Sequence, residues 1–357
     1  MKKIAPKLII LSGGGTGGSV TPLLAVADYL KKYSASRYRF LFIGTKHGPE
    51  ERWAKASDIP FQGMLSGKLR RYFSLRNIFD IILIGLAFFQ SFYLLSKYRP
   101  ALIISAGSFV SVPLVWAGRM MGIKSIIHQQ DWRPGLANKL MKGAAKTITV
   151  TFEKSLADYG SRAVWIGNPI KEIDPEQLAA DQAAVITKYN LSQDKPLILI
   201  MGGGTGSVAL NRLSQEAAGE LAKLGEVIQI CGLGKSFAAV PGFQVLEFIP
   251  HSELLALESL AQVVVSRCGL GTLNEISYFK KPAILIPLPH SHQEDNAGYF
   301  SQNQAAVVLA EDSLTSGDLV QSVKKMLQNG DKYSYLMGKM MKREASQKMA
   351  EIINNLL

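Results

Sequence analysis

The sequence predicts an α/β protein of two doubly wound, parallel-sheet domains, and three observations carry that expectation. The 357 residues are about two domains' worth at roughly 150 residues each. Short continuous apolar runs alternate with helical stretches, the pattern of parallel strands covered on both faces. One passage from strand to glycine loop occurs twice. Leu8-Ile9-Ile10-Leu11-Ser12 runs into Gly13-Gly14-Gly15-Thr16-Gly17-Gly18, and Leu197-Ile198-Leu199-Ile200-Met201 runs into Gly202-Gly203-Gly204-Thr205-Gly206. The two loops start 202 − 13 = 189 residues apart, far beyond the roughly 20 to 50 residues of a solenoid repeat, so they mark two similar domains.

Taken in order, the further strands of the first half are residues 40–43, 101–104, 125–127, 147–151 and 164–166. Those of the second half are 227–230, 245–248, 263–265, 283–286 and 306–309. The first domain is expected over 1–169 and the second over 196–332, joined by a polar linker at 170–195 that a helical pattern interrupts. Residues 333–357 read as a basic, then apolar, helix that packs back on the domains. The apolar run 8–11 is far too short for a signal segment. Residues 78–95 form the one long apolar stretch, and Asp80, Gln90 and Ser91 interrupt it. As a helix it would span about 27 Å, under the roughly 30 Å of a hydrocarbon core.

Composition excludes several classes. With 47% apolar and 19% charged residues the chain is neither disordered nor collagen-like. Cys231 and Cys268, its only cysteines, lie far apart, which argues against a disulfide framework or zinc cluster and fits a reducing compartment. Lys and Arg number 40 against 28 Asp and Glu, a net charge of +12. Such a basic excess points to polyanionic partners: nucleic acid, phosphorylated ligands or an anionic membrane.

In open parallel sheets ligands bind beyond the carboxyl ends of the strands, and the polar and glycine-rich clusters of this chain fall there. Gly13, Gly15 and Gly18 match GxGxxG, and Thr21-Pro22 opens a helix. Dinucleotide binding also wants an acid at the end of the second strand, but that strand ends Ile43-Gly44-Thr45. A tight packing turn explains one such loop more readily than two. Arg267-Cys268-Gly269-Leu270-Gly271-Thr272-Leu273-Asn274-Glu275 follows a strand and opens a helix. Its N–H groups suit a diphosphate, and Glu275 suits a ribose diol, or is an ordinary first-turn acid favoured by the helix dipole. His290-Ser291-His292-Gln293-Glu294-Asp295-Asn296 lacks HxxxH or HExxH spacing, so sugar contacts are expected there rather than a metal. No DxD occurs, and neither metal nor cofactor is expected. Lys68, Arg70, Arg71 and Arg76 on one side and Lys97 and Arg99 on the other flank residues 78–95. A buried core helix and an apolar patch docking on anionic lipid both fit that stretch, and the basic excess favours docking.

The ordered set GGGTGG, Gly107-Ser108-Phe109-Val110-Ser111-Val112-Pro113, His128-Gln129-Gln130-Asp131, Pro134-Gly135-Leu136-Ala137-Asn138, Gly167-Asn168-Pro169, GGGTG, 267–275 and His292-Gln293 to Asn296-Ala297 resembles the MurG family. These are peptidoglycan N-acetylglucosaminyltransferases of the GT-B fold, two Rossmann-like domains facing an interdomain cleft. The resemblance covers nearly the whole chain. It implies transfer of N-acetylglucosamine from UDP-N-acetylglucosamine to the C4 hydroxyl of undecaprenyl-pyrophosphoryl N-acetylmuramyl-pentapeptide, with inversion, by a peripheral protein on the cytoplasmic face of the inner membrane. It implies a donor-binding second domain, with Gly204 and Thr205 by the diphosphate, Ile249 by uracil, Leu270, Gly271, Thr272, Leu273, Asn274 and Glu275 around phosphate and ribose, and Gln293 and Asn296 on the sugar. Thr16, Gly17 and Gly18 would meet the acceptor pyrophosphate, with Ser19, Asp131, Asn138 and Lys171 also in the substrate site. Anionic lipid and pyrophosphate thereby replace nucleic acid as the expected partners.

The sequence departs from the family where the base is needed. Ser19 stands in place of His, Phe109 of Tyr, Asp131 of Asn, Lys171 of Arg and Gly204 of Ser. A neutral serine is a poor base near pH 7. The expected catalytic set is therefore Ser19, His128 and Asp131, with Asp131 either taking the proton or orienting His128. Competing expectations are a GT-B enzyme glycosylating diacylglycerol or another membrane lipid, a UDP-sugar epimerase, and a non-catalytic nucleotide-sugar sensor.

Overall fold

In the computed structural model, the described residues are 5–15, 17–34, 36–67, 76–204 and 206–357, with the backbone alone described over 76–82. Two compact units form: Met1–Glu172 with Lys342–Leu357, and Ile173–Met341. The first contains β1 (Lys7–Ser12), α1 (Thr21–Tyr33), β2 (Tyr38–Thr45), α2 (Glu50–Ala56), β3 (Phe61–Met64), α3 (Arg76–Tyr98), β4 (Leu102–Ser105), α4 (Ser111–Met120), β5 (Lys124–Gln129), α5 (Leu136–Met141), β6 (Thr147–Val150) and β7 (Ala163–Trp165). The second contains α6 (Pro175–Tyr189), β8 (Leu197–Met201), α7 (Val208–Leu224), β9 (Glu226–Ile230), β10 (Phe243–Leu246), α8 (His251–Leu260), β11 (Val263–Ser266), α9 (Leu270–Tyr278), β12 (Ala283–Leu285), α10 (His292–Gln302), β13 (Val307–Val308), α11 (Ser316–Gln328) and α12 (Gly330–Met337). The chain ends with α13 (Ala345–Leu356), which belongs to the first unit.

The strand orders are β3-β2-β1-β4-β5-β6-β7 and β10-β9-β8-β11-β12-β13. Every strand pairs in parallel with its neighbours. In each sheet the order reverses beside the strand that feeds a GGGTG loop: β1 lies between β2 and β4, and β8 between β9 and β11. That reversal is where an open sheet leaves a crevice at its carboxyl edge. The registers Ser12 with Ser105 and Met201 with Ser266 bring the two loops flanking each crevice to one level.

Side chains alternate across a strand, and the first sheet divides its core accordingly. Ile10, Leu41, Ile43 and Ile103 pack with Leu94 and Leu95 of α3, Leu114 and Val115 of α4 and Met141 of α5. Ile9, Leu11, Phe42 and Ile104 face the other way, onto Leu23 and Val26 of α1 and Met349 and Ile353 of α13. In the second sheet Ile198, Ile200, Val263 and Val265 pack with Leu210 and Leu221 of α7 and Val323 of α11.

Three departures from expectation have local causes. The stretch 170–195 contains α6, capped by Asp174, whose side chain accepts from Glu176 N–H, and ended by Asn190 at φ +51°. Lys188 and Tyr189 tie that helix to Glu253 of α8, and the passage between units falls after Glu172. The tail 333–357 is two helices rather than one, because Tyr333 packs on the apolar core of the second unit, in which Met337 is also buried, while Met349 and Ile353 pack in the first. The edge strand β3, Phe-Gln-Gly-Met, lacks the continuous apolar run that marks its neighbours.

Candidate functional site

In the first unit the loop after β1 is folded around a carboxylate. Glu50, the first residue of α2, is fully buried. Its Oε1 accepts from Thr45 N–H at 2.6 Å and from the Thr45 hydroxyl, and its Oε2 accepts from Gly15 N–H at 3.4 Å. Gly14, Gly44 and Gly48 surround it, and a Cβ on any of them would collide with the Glu50 side chain. Gly15 has φ +86°, a conformation that costs glycine nothing. Ser19 Oγ accepts from Gly14 N–H and donates to Gly14 O, both at 3.1 Å. Ser108 Oγ donates to Gly14 O at 3.1 Å, and Gln130 Nε2 donates to Gly18 O at 2.6 Å. The loops after β1, β4 and β5 thus meet at one crevice, with Gly18 exposed and Asp131, next to Gln130, half-buried. Thr16 lies outside the described residues.

His128 is corrected by its surroundings. It is fully buried on β5, with Nδ1 3.0 Å from Thr149 Oγ1 and Nε2 3.2 Å from Asn168 Oδ1. Burial holds its pKa down at about 4, so the ring is neutral at pH 7 and both nitrogens are engaged away from Asp131. It braces the strand ends through Thr149 and Asn168, not through Asp131. Ser19 is likewise buried, and its hydroxyl bonds to Gly14, so it closes the loop on itself. Asn138 is buried and donates to His128 O at 3.2 Å and Gln129 Oε1 at 2.8 Å, fixing the β5–α5 loop. Lys171 lies 3.9 Å from Asp28 of α1.

In the second unit the loop after β8 turns at Gly203 (φ +82°) and Gly206 (φ +70°). It delivers Ser207 as the cap of α7, accepting from Leu210 N–H at 3.3 Å. Buried Arg267 pins the strand ends together. It donates to Ser207 Oγ at 2.6 Å and to the carbonyls of Ile286 and Pro287 at 3.1 Å, and it pairs with Glu311. Gly269, which precedes α9, carries no side-chain cap, leaving first-turn N–H groups available to an anion. Gly271 is exposed and Thr272 and Glu275 half-buried, whereas Leu270, Leu273 and Asn274 turn inward. Glu275 Oε1 pairs with His251 Nε2 at 2.8 Å. Gln293 Oε1 accepts from Cys268 N–H and Leu288 N–H, both at 3.1 Å. Asn296, expected on the sugar, is fully buried and donates to Cys268 O at 3.3 Å, so it supports the loop from beneath. Ile249 is buried, Gly204 is exposed, and Thr205 lies outside the described residues.

Residues 9–150 match the Glycosyltransferase family 28 N-terminal domain and residues 197–356 the Glycosyltransferase family 28 C-terminal domain. The chain belongs to glycosyltransferase family 28. A relative from Lachnospira eligens, UDP-N-acetylglucosamine--N-acetylmuramyl-(pentapeptide) pyrophosphoryl-undecaprenol N-acetylglucosamine transferase, is 35% identical over 356 residues, covering 98% of each chain. A Bacillus anthracis relative of the same name, numbered 2, is 34% identical over 349 residues, 96% of this chain and 97% of its own. Among solved structures, Acinetobacter baumannii MurG matches with TM-score 0.75 at 23% identity, covering 98% of this chain and 100% of that one. UDP-GlcNAc 2-epimerase from Neisseria meningitidis, bound to UDP-GlcNAc, matches with TM-score 0.67 at 11% identity, covering 98% and 100%; at that identity the likeness is one of fold. The two-domain parallel-sheet expectation holds for this family 28 chain.

Glu50 lies outside every sequence motif, and Gln130 and Arg267 lie inside motifs that assign them no role of their own. Arg267 carried a signal, a lone cation directly after a strand. Glu50 carried none, since only the fold brings Gly14, Gly44 and Gly48 around one carboxyl.

Proposed function

We propose that this family 28 chain transfers N-acetylglucosamine from UDP-N-acetylglucosamine to the C4 hydroxyl of undecaprenyl-pyrophosphoryl N-acetylmuramyl-pentapeptide, with inversion. The observation that carries this reading is the end-to-end 35% identity with a relative whose name states the donor, the lipid-linked acceptor and the N-acetylglucosamine transferred; the C4 hydroxyl and the inversion follow from the resemblance to the MurG family. The second unit takes the donor: backbone N–H groups at the starts of α7 and α9 face the diphosphate, Gly204 lies beside it, Ile249 borders uracil, Glu275 meets the ribose and Gln293 the sugar. The first unit takes the acceptor, with Gly17 and Gly18 by its pyrophosphate. Asp131, half-buried at the same crevice, receives the hydroxyl proton. The departing UDP is stabilised by fixed N–H dipoles, without a resident metal.

The same proposal places the protein peripherally at an anionic, cytoplasmic membrane face. Among the described residues no helix is long and apolar enough to cross a membrane. Leu86, Phe89 and Tyr93 of α3 and Trp116 and Met120 of α4 are exposed, Phe89 at 73% and Met120 at 67%. Trp116 Nε1 donates to Leu140 O of α5 at 3.1 Å, so the apolar face continues onto α5. Lys97, Arg99, Arg119, Lys139 and Lys142 lie on or just beyond these helices, the combination that favours anionic lipid. Lys68, Arg70 and Arg71 fall outside the described residues, as does the side chain of Arg76.

The deciding experiment incubates the protein with both substrates and follows UDP release and product mass. Release of UDP with an acceptor heavier by one N-acetylhexosamine supports the transfer. UDP without that product, or an epimerised donor, rejects it.

A further inference from the structure

We propose that Lys235 supplies the point charge that holds the donor diphosphate and stabilises the departing UDP. This rests on the reading of the second unit as the donor-binding one. The loops that follow the strands of this unit contain two Lys or Arg residues, Lys235 after β9 and Arg267 after β11. Arg267 is buried and divides its guanidinium among Glu311, Ser207 and two carbonyls. Lys235 is half-buried, and its Nζ lies 3.3 Å from Gly206 O, in the glycine loop itself.

The loop that carries Lys235 is built to reach that place. Gly232 and Gly234 take φ +93° and +67°, turning the chain back toward α7. Gly206 packs directly on Cys231 and Gly232, with no room for a side chain. Asn211 of α7 donates to Cys231 O at 3.0 Å and to Lys235 O at 3.4 Å, and Gly234 N–H donates to Glu247 Oε2 at 3.2 Å. The backbone of Lys235 is therefore tied to the helix whose start faces the diphosphate, and that of its neighbour Gly234 to Glu247, just past β10. A glycine loop, a helix N-terminus and one reaching lysine form an arrangement suited to a phosphate chain.

The charge change explains why a cation belongs there. The C4 hydroxyl oxygen forms a bond to the anomeric carbon as the bond from that carbon to the β-phosphate oxygen breaks. The bonding pair stays on UDP, which gains one negative charge, and the hydroxyl proton goes to the Asp131 carboxylate. The Lys235 ammonium keeps its proton throughout and acts by electrostatics alone.

The test compares the full-length protein with Lys235→Met and Lys235→Arg, measuring UDP affinity by calorimetry, uridine affinity by ligand-observed NMR, and turnover. Loss of one charge-assisted contact weakens binding by about 10- to 100-fold. Lys235→Met is expected to lose that much UDP affinity, keep its uridine affinity and turn over more slowly, with Lys235→Arg restoring part of both losses. Unchanged UDP affinity in Lys235→Met, or equal loss of UDP and uridine, overturns the inference while leaving the donor assignment standing. Failure of the unsubstituted protein to bind UDP overturns both.

Discussion

The Glu50 carboxylate stands where a side chain on Gly14 would begin: a Cβ there would lie 2.5 Å from Glu50 Oε1. The glycine loop is thus glycine-rich partly to make room for a buried acid. Glu50→Ala would leave the Thr45 and Gly15 N–H groups without their acceptor, at a cost of about 2–4 kcal/mol. Urea denaturation should show that loss together with a raised acceptor KM. A change within about 0.5 kcal/mol, the range of ordinary surface substitutions, would refute the role.

Acid should destabilise the protein through His128. Its pKa is lowered from 6.5 to about 4, chiefly by burial, so the unfolded chain binds the extra proton between those values. The stability it contributes is complete above pH 6.5 and drains away as pH falls toward 4, by up to about 3 kcal/mol. His128→Asn should be less stable at pH 7 yet lose less on acidification, as read from denaturation midpoints at each pH.

Glu258 of α8 should behave in the opposite sense. Both its carboxyl oxygens are buried and lack hydrogen-bond partners among the described residues. Burial, reinforced by the nearby Glu275 charge, pushes its pKa well above 4.5. Stability linked to this group is full below pH 4.5 and falls as pH rises toward the raised pKa. Glu258→Gln should therefore raise the melting temperature at pH 8, by about 2–4 °C per kcal/mol gained, and the gain should shrink toward pH 4. An equal shift at both pH values would show that charge is not the cause.

Turnover should separate Asp131 from its neighbours. Asp131→Asn removes the proposed base and should lower kcat by about 10²- to 10⁴-fold with little change in melting temperature, since the side chain is half-buried. Undiminished turnover would remove Asp131 from the mechanism. Ser19→Ala should lower stability more than it lowers kcat, because its hydroxyl closes the loop onto Gly14.

Membrane docking should depend on α3. Phe89→Asp places a charge on the exposed apolar face and forfeits about 1.5–3 kcal/mol of burial in lipid. Sedimentation with anionic vesicles should therefore fall by at least about tenfold, while activity on a detergent-dispersed acceptor stays near normal. Unaltered vesicle binding would point to a different docking face.

Much of the fold was legible because parallel strands covered on both faces must be continuously apolar; β1, β4, β8 and β11 each carry such a run. The edge strand β3 was not, since Gln62 and Gly63 sit where less burial is required. The glycine loops were legible as backbone requirements, and the sheet orders place both at the crevices. Which side of each loop a residue faces was not. Leu273, Asn274 and Asn296 belong to the motifs that resemble the family, yet their side chains point into the protein.

Sequence by itself determined the two parallel-sheet domains, the two glycine loops and the apolar segment bordered by cations, because each follows from local periodicity and backbone conformation. Tertiary structure alone decided that His128 is a buried brace, that Ser19 is a clasp and that Glu50 organises the first loop. It also set Lys235 against Gly206, 29 residues away. These are facts about burial and partners, which depend on segments distant in the chain being folded against one another.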